Sequence, residues 1–203
     1  MTEARAYRGV AQADRVAQRR DALIEAGLDC LHNGGIAAFS VRSVCAQARL
    51  TARYFYESFA DLDALLMATV DAVCADVAGH AVSAIETAGD DLESKVRSAV
   101  DSAVTVLRDD PRKASAFLLA SAGPEQLHDK RDEWMTAFVS LVLANLPLHA
   151  EPSLQGKRAV RGAAFFVMGG TSELLRAVFS GSLAMSHDQV VDGLTAMWLA
   201  VLA

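Results

Sequence analysis

The chain has 203 residues, 52% hydrophobic and 22% charged, with only four prolines, a composition with ample core material that leans towards helix. No run of 18 apolar residues lacks a charge, and the first twenty residues hold five arginines without an apolar stretch, so neither a membrane span nor a secretory leader is expected and a cytoplasmic protein is. The net charge of −6 argues against a nucleic-acid partner, yet residues 1–60 carry +2 and the remainder −8, and phosphate contact requires a basic face and not a basic protein.

The first helix is expected from about Gln12 to His32, where Val16, Leu23, Ile24, Gly27, Leu28 and Leu31 largely follow the i, i+3, i+4, i+7 rule. Asn33-Gly34-Gly35 should stop it, because glycine accepts the left-handed backbone of a helix C-terminus. Ser40 is a good N-cap for a short helix from Val41 to Ala48. Thr51 caps another containing Arg53, Tyr54, Phe55 and Tyr56, and Asp61 caps a longer one from Leu62 to about Ala78. Two short helices separated by about three residues around Arg49 have helix-turn-helix spacing. Such a turn projects the second helix towards a major groove while the first braces on phosphates. Val41, Val44, Cys45, Ala48, Leu50 and Phe55 would form the small core beneath.

From Gly79 onward a helical bundle is expected. Asp90 or Asp91 caps a helix to about Arg108, and Asp110-Pro111 opens the next, with proline at the first helical position. Gly123-Pro124 breaks it. A helix then runs to about Leu146, Pro147–Gly156 is a loop, and two last helices span about Lys157–Phe179 and Asp188–Leu202. Ser186 and Gln189 are spaced as a capping box. The result is an all-α protein of nine helices, with a helix-turn-helix domain at 1–60 and a helical domain at 61–203. Cys30, Cys45 and Cys74 are read as small buried thiols, with Cys30 and Cys45 the pair to test for a redox role.

The segment from Phe39 to Leu66, FSVRSVCAQARLTARYFYESFADLDALL, resembles the DNA-binding module of the tetracycline-repressor (TetR) family. The resemblance covers about Arg20 to Leu66 and rests on several elements in order. These are the glycine stop after the first helix, the Ser40-Val41-Arg42 start of the second, and Phe55-Tyr56-x-x-Phe59 ending the recognition helix. Two positions depart from the family pattern. Arg49 stands where glycine is usual in the turn, and Leu62 where a phosphate-touching lysine is usual. A non-glycine residue in a left-handed turn costs about 1 kcal/mol. Arg49 could instead reach the DNA backbone itself.

Arg53 is the candidate to read a base edge, since arginine bidentate to guanine is the commonest specific contact. Thr51, Tyr54 and Tyr56 are candidates for phosphates, with packing an equal reading for Tyr54. Ser40 is a cap that could add a phosphate contact, and Arg42 could reach backbone or base. Arg5, Arg8, Arg15 and Arg19 form an arm that could lie along phosphates. In the second domain the resemblance implies a pocket for a small-molecule effector. Phe117, Trp134, Phe138, Phe165 and Met168 are its candidate wall and Glu173 its candidate charged anchor, although core packing explains each apolar residue too. Arg97 and Arg176 are further charged residues in apolar stretches.

The last two helices are rich in small and apolar residues, including Gly162, Ala163, Gly169, Gly170, Met197 and Trp198. The resemblance implies a homodimer through a four-helix interface there. It also implies a palindromic double-stranded operator, a repressor released by an apolar or amphipathic effector, and movement of the helix after Asp61 on release. No cofactor, metal or membrane is expected. An enzyme is the less favoured class, because His32, His80, His128, His149 and His187 are scattered and no nucleophile or metal-ligand spacing occurs. A helical protein-interaction module is the remaining alternative, and it predicts no steep salt dependence with a duplex.

Overall fold

The computed structural model describes the backbone of residues 3–122, 127–145 and 154–202, with side chains described over 14–120, at 127, and over 130–145 and 158–202. Among them lie nine helices and no strand: α1 (Glu3–Ala38), α2 (Val41–Ala48), α3 (Ala52–Ser58), α4 (Leu62–Thr87), α5 (Leu92–Asp109), α6 (Pro111–Ala122), α7 (His128–Asn145), α8 (Leu154–Phe179) and α9 (His187–Leu202). The chain divides into two compact units, Met1–Ala72 and Val73–Ala203. The division falls inside α4 and not ahead of it, because the first turns of α4 bury Leu65, Leu66 and Val70.

In the first unit α1 packs on α2 and α3, around Leu23, Leu28, Phe39, Val44, Phe55 and Phe59, all nearly inaccessible. α1 begins at Glu3 and not at Gln12, since nothing between them but Gly9 opposes helix. Its regular course fails at Gly35, where φ is +60°, a conformation that glycine adopts freely. Gly27 serves a different need. A Cβ there would sit 2.7 Å from Thr69 Oγ1 and 3.3 Å from the Phe39 ring, so the missing side chain lets α1 and α4 approach. Thr69 is wholly buried and satisfies itself by donating to the Leu65 carbonyl at 2.9 Å.

The second unit is a bundle in which α5 packs on α9 and α6, and α8 on α6, α7 and α9. Its core gathers Ile85, Val96, Val139, Ala164, Val167, Trp198 and Leu202. α4 runs through Gly79 to Thr87, past the expected end at Ala78. One glycine costs about 1 kcal/mol in a helix, too little to end an alanine- and valine-rich run. α4 is also the one helix among the described residues long and apolar enough to cross a membrane. Here Asp76 on α4 takes the Lys113 ammonium of α6 at 2.7 Å, so the helix is tied into the bundle.

The expected side-chain caps form, except at Thr51. Asp61 accepts from the Ala64 amide and Asp91 from the Ser94 amide, each at 2.8 Å. Ser186 and Gln189 close a capping box. Asp110 lies ahead of Pro111 and accepts from the Arg112 amide at 3.0 Å and from its guanidinium. Gly123-Pro124 and residues 147–153 of the expected loop lie outside the described residues. The last turn before Gly156 is already helix, α8 starting at Leu154.

Candidate functional site

The α2–turn–α3 unit is built from the backbone upward. Ser40 caps α2 by accepting from the Ser43 amide at 3.1 Å, and the Ser43 hydroxyl accepts from the Ser40 amide at 3.1 Å, a reciprocal capping box. At the other end Arg49 adopts φ +54°, ψ +38°. Its amide donates to the Ala46 carbonyl at 3.2 Å and the next amide, of Leu50, to the Cys45 carbonyl at 2.9 Å. These two bonds make a Schellman motif, the arrangement that normally selects glycine at the left-handed position. The chain therefore keeps the family-like turn with an arginine in it, and that arginine is exposed.

α3 follows from Thr51, whose backbone is in the cap conformation but whose hydroxyl makes no cap bond. Phe55 and Phe59 anchor α3: their rings lie 6.0 Å apart, and neither is more than slightly accessible. Opposite them stand Arg53, with 83% of its side chain exposed, and Tyr56, 61% exposed. Thr51, Arg42 and Ser40 are exposed as well. Tyr54 is half-buried under the Arg19 guanidinium, 4.1 Å from the ring centroid, which favours the packing reading for it. Of the expected small core, Val44, Cys45 and Phe55 are buried, whereas Val41, Ala48 and Leu50 are half-buried.

Sequence reasoning missed one residue of this surface. Glu57 accepts from Arg53 Nε at 3.0 Å and from Arg19 Nη1 at 3.1 Å. The Arg53–Glu57 spacing of four residues was a visible helical ion-pair signal. The Arg19 contact joins α1 to α3 and had no local sequence signal. Cys30 and Cys45 are both buried, and burial pushes the Cys45 thiol up. A raised thiol pKa means less thiolate and less reactivity, against a redox role.

The second unit encloses a cavity of about 160 Å³. Phe117, Trp134, Phe138 and Met168 line it, as do Trp198, Leu194, Leu175 and Cys74. Phe165 does not; it packs on the core cluster, under Arg161. Glu173 does not either. It is exposed on α8 and takes the Arg176 guanidinium on both carboxylate oxygens, which holds its carboxyl below the usual range. The charged residue in the cavity wall is instead Arg131. Thr171 and Ser172 add hydroxyls, and Thr171 accepts from the Trp198 indole at 3.2 Å. Arg97 pairs with Asp192 at 2.6 Å, away from the cavity wall.

No family model and no curated protein matches this chain. Solved structures do. A TetR-family regulator from Mesorhizobium loti MAFF303099 superposes with a TM-score of 0.68 at 19% identity, over 93% of this chain and 96% of that one. The fold is that of the TetR-family regulators. The fatty acid degradation regulator FadR of Bacillus halodurans superposes at 0.70 and 16% identity, over 88% and 97%. FadR of Bacillus subtilis, solved in complex with stearoyl-CoA, superposes at 0.64 and 13%, over 90% and 97%. The TetR fold thus extends over both units, although the motifs recognised in the sequence cover only about Arg20 to Leu66.

Proposed function

We propose that the chain is a TetR-family regulator that binds double-stranded DNA as a homodimer and responds to a small molecule held in the second unit. The observation that carries this reading is the α2–α3 unit. A left-handed Schellman turn fixes α3, Phe55 and Phe59 clamp one side of it, and Arg53, Tyr56 and Thr51 are left exposed. Arg53 reads a base edge, and Tyr56, Thr51, Ser40, Arg42 and Arg49 contact backbone.

Dimerisation is supported by α8 and α9. Phe166 is 83% and Met197 52% exposed, on neighbouring helices whose Gly162, Gly170 and Ala196 are also exposed. Large exposed apolar side chains flanked by small ones mark a surface that another chain covers. Two-fold symmetry then sets two α3 helices about 34–36 Å apart, or at a multiple of that, on a palindromic operator. An effector in the cavity favours a conformation in which α4 has moved and the two heads no longer match successive grooves, so the protein acts as a repressor. Release can be no stronger than the difference between the effector's affinities for the two conformations.

The test is fluorescence anisotropy against duplexes tiled from the DNA beside the protein's own gene, at two salt concentrations. Tight, salt-sensitive binding to one tile, lost in Arg53→Ala and Tyr56→Ala, is the expected result. Absence of binding to every duplex at low salt, with folded protein, would overturn the reading in favour of a protein-interaction module.

A further inference from the structure

The cavity also constrains the chemistry of its ligand. Its wall is made almost wholly of aliphatic and aromatic side chains, with Arg131 of α7 the charged residue among them. Arg131 is exposed although it lines the cavity, so it stands where the apolar wall meets solvent. Among the described residues it makes no hydrogen bond or ion pair. Among the described residues Glu173 is the acid it acts on, but both oxygens of that carboxylate are taken by Arg176, and Arg131 contributes only a lesser attraction to it. The guanidinium therefore presents its donors unspent at the mouth of an apolar space. An arginine side chain remains charged at any physiological pH, and its planar fork matches a carboxylate.

Size narrows the class further. A cavity of about 150 Å³ with apolar walls takes one benzene ring in a model protein, and this one is about 160 Å³. On the reading that the second unit holds the effector, we infer that the ligand is a compact amphipathic monocarboxylate. Its apolar body is the size of a single aromatic ring and seats in the cavity, and its carboxylate is held by Arg131. A neutral ligand of the same shape leaves the guanidinium unpaired. A cationic one meets like charge at the mouth and, among the described residues, has the neutralised Glu173 to offset it.

The chain supplies its own reporter, because both of its tryptophans, Trp134 and Trp198, line the cavity. Intrinsic fluorescence of the full-length protein is titrated, without DNA, with benzoate, benzyl alcohol and benzylamine. Benzoate is expected to change the emission saturably and to bind about two- to fivefold more tightly than the other two, since a charge-assisted pair at an exposed arginine is worth about that factor. Arg131→Gln should weaken benzoate about two- to fivefold and leave benzyl alcohol unchanged, Arg131→Lys should recover part of the loss, and Glu173→Gln should not weaken it. Equal or tighter binding of the alcohol or the amine, an Arg131→Gln variant that binds benzoate normally, or no response to any of the three would each overturn the inference. The DNA titration is independent of it. Benzoate binding with no duplex binding would remove the regulator and keep the ligand class, and the reverse result would do the opposite.

Discussion

The two units of this chain solve different packing problems. The first wedges three phenylalanines, Phe39, Phe55 and Phe59, between the long α1 and the short α2 and α3, and its exposed side chains are held by caps and ion pairs. The second assembles long helices from alanine, valine and leucine and keeps a cavity among them. A surface that must match a fixed external shape is best carried on a rigid, filled support. A site that must admit a guest gives up packing, and with it some stability. The contrast predicts that the same kind of substitution has opposite consequences in the two units.

The largest effect is expected from Phe55→Ala, which removes a wholly buried ring and should cost about 3–5 kcal/mol. Thermal denaturation followed by circular dichroism will register it, and a loss under 1 kcal/mol would mean that the head is not packed as described. Next in size is Arg53→Ala. It should lower affinity for the operator by about 1–3 kcal/mol while lowering the melting temperature by no more than about 1–2 °C through the lost Glu57 pair, which anisotropy and a thermal melt on one sample will separate. Adding volume then sharpens the comparison directly. Gly27→Ala forces a methyl group to within 2.7 Å of Thr69 Oγ1 and should destabilise by about 1–3 kcal/mol. Ala103→Leu, in the cavity wall, should stabilise by about 0.5–2 kcal/mol and abolish ligand-induced fluorescence changes. Changes of the same sign in both variants would erase the distinction.

Smaller effects concern the punctuation between helices. Asp110→Ala removes an acceptor for the Arg112 amide and guanidinium and should cost about 1 kcal/mol, or roughly 2–4 °C in melting temperature. Arg112 holds the Asp110 carboxyl below its ordinary range. The folded pKa being lower than the unfolded one, the contribution is fully present above about pH 4 and is lost as pH falls through the folded value. Wild type and variant should therefore converge in acid melts, and a constant gap would contradict the assignment. The smallest change is Arg49→Gly. Relief of a left-handed residue and the added freedom of the unfolded chain nearly cancel, to within about 0.5 kcal/mol. If Arg49 touches a phosphate, the salt slope of DNA binding should nevertheless fall by about one.

Legibility in the sequence followed the same division. The helices of the first unit were readable because their ends are marked by local chemistry, with Ser40, Asp61 and the glycine at 35 each doing at short range what they do in any chain. The turn was legible despite Arg49, since the Ser40 cap before it and Phe55 and Phe59 after it fix the spacing on both sides. α4 was cut short at Gly79 because a lone glycine carries the same letter whether it ends a helix or sits inside one. In the second unit, periodicity showed which helices exist but not which of their faces turn towards a cavity. Phe165 and Phe138 look alike as letters, and only packing sends one to the core cluster and the other to the cavity wall. Glu173 reads as an anchor because it is a charge among apolar neighbours, whereas its three-residue spacing to Arg176 marks an ion pair along the helix. Arg131, in a charged stretch, gave no signal at all.

Glu57 bears on how a binding protein searches. With Arg19 and Arg53 both resting on it, an arginine that on the proposed function lets go of a nucleotide would fall back on a carboxylate of its own chain instead of on water alone. An exposed pair of this spacing is worth about 0.3–0.5 kcal/mol, roughly a factor of two in residence time. On the proposed function that factor would apply at every site the protein visits, while a bidentate base contact from Arg53 would outweigh it only at the right one. An acid on α3 would thus shorten residence at every site alike and leave discrimination to the groove.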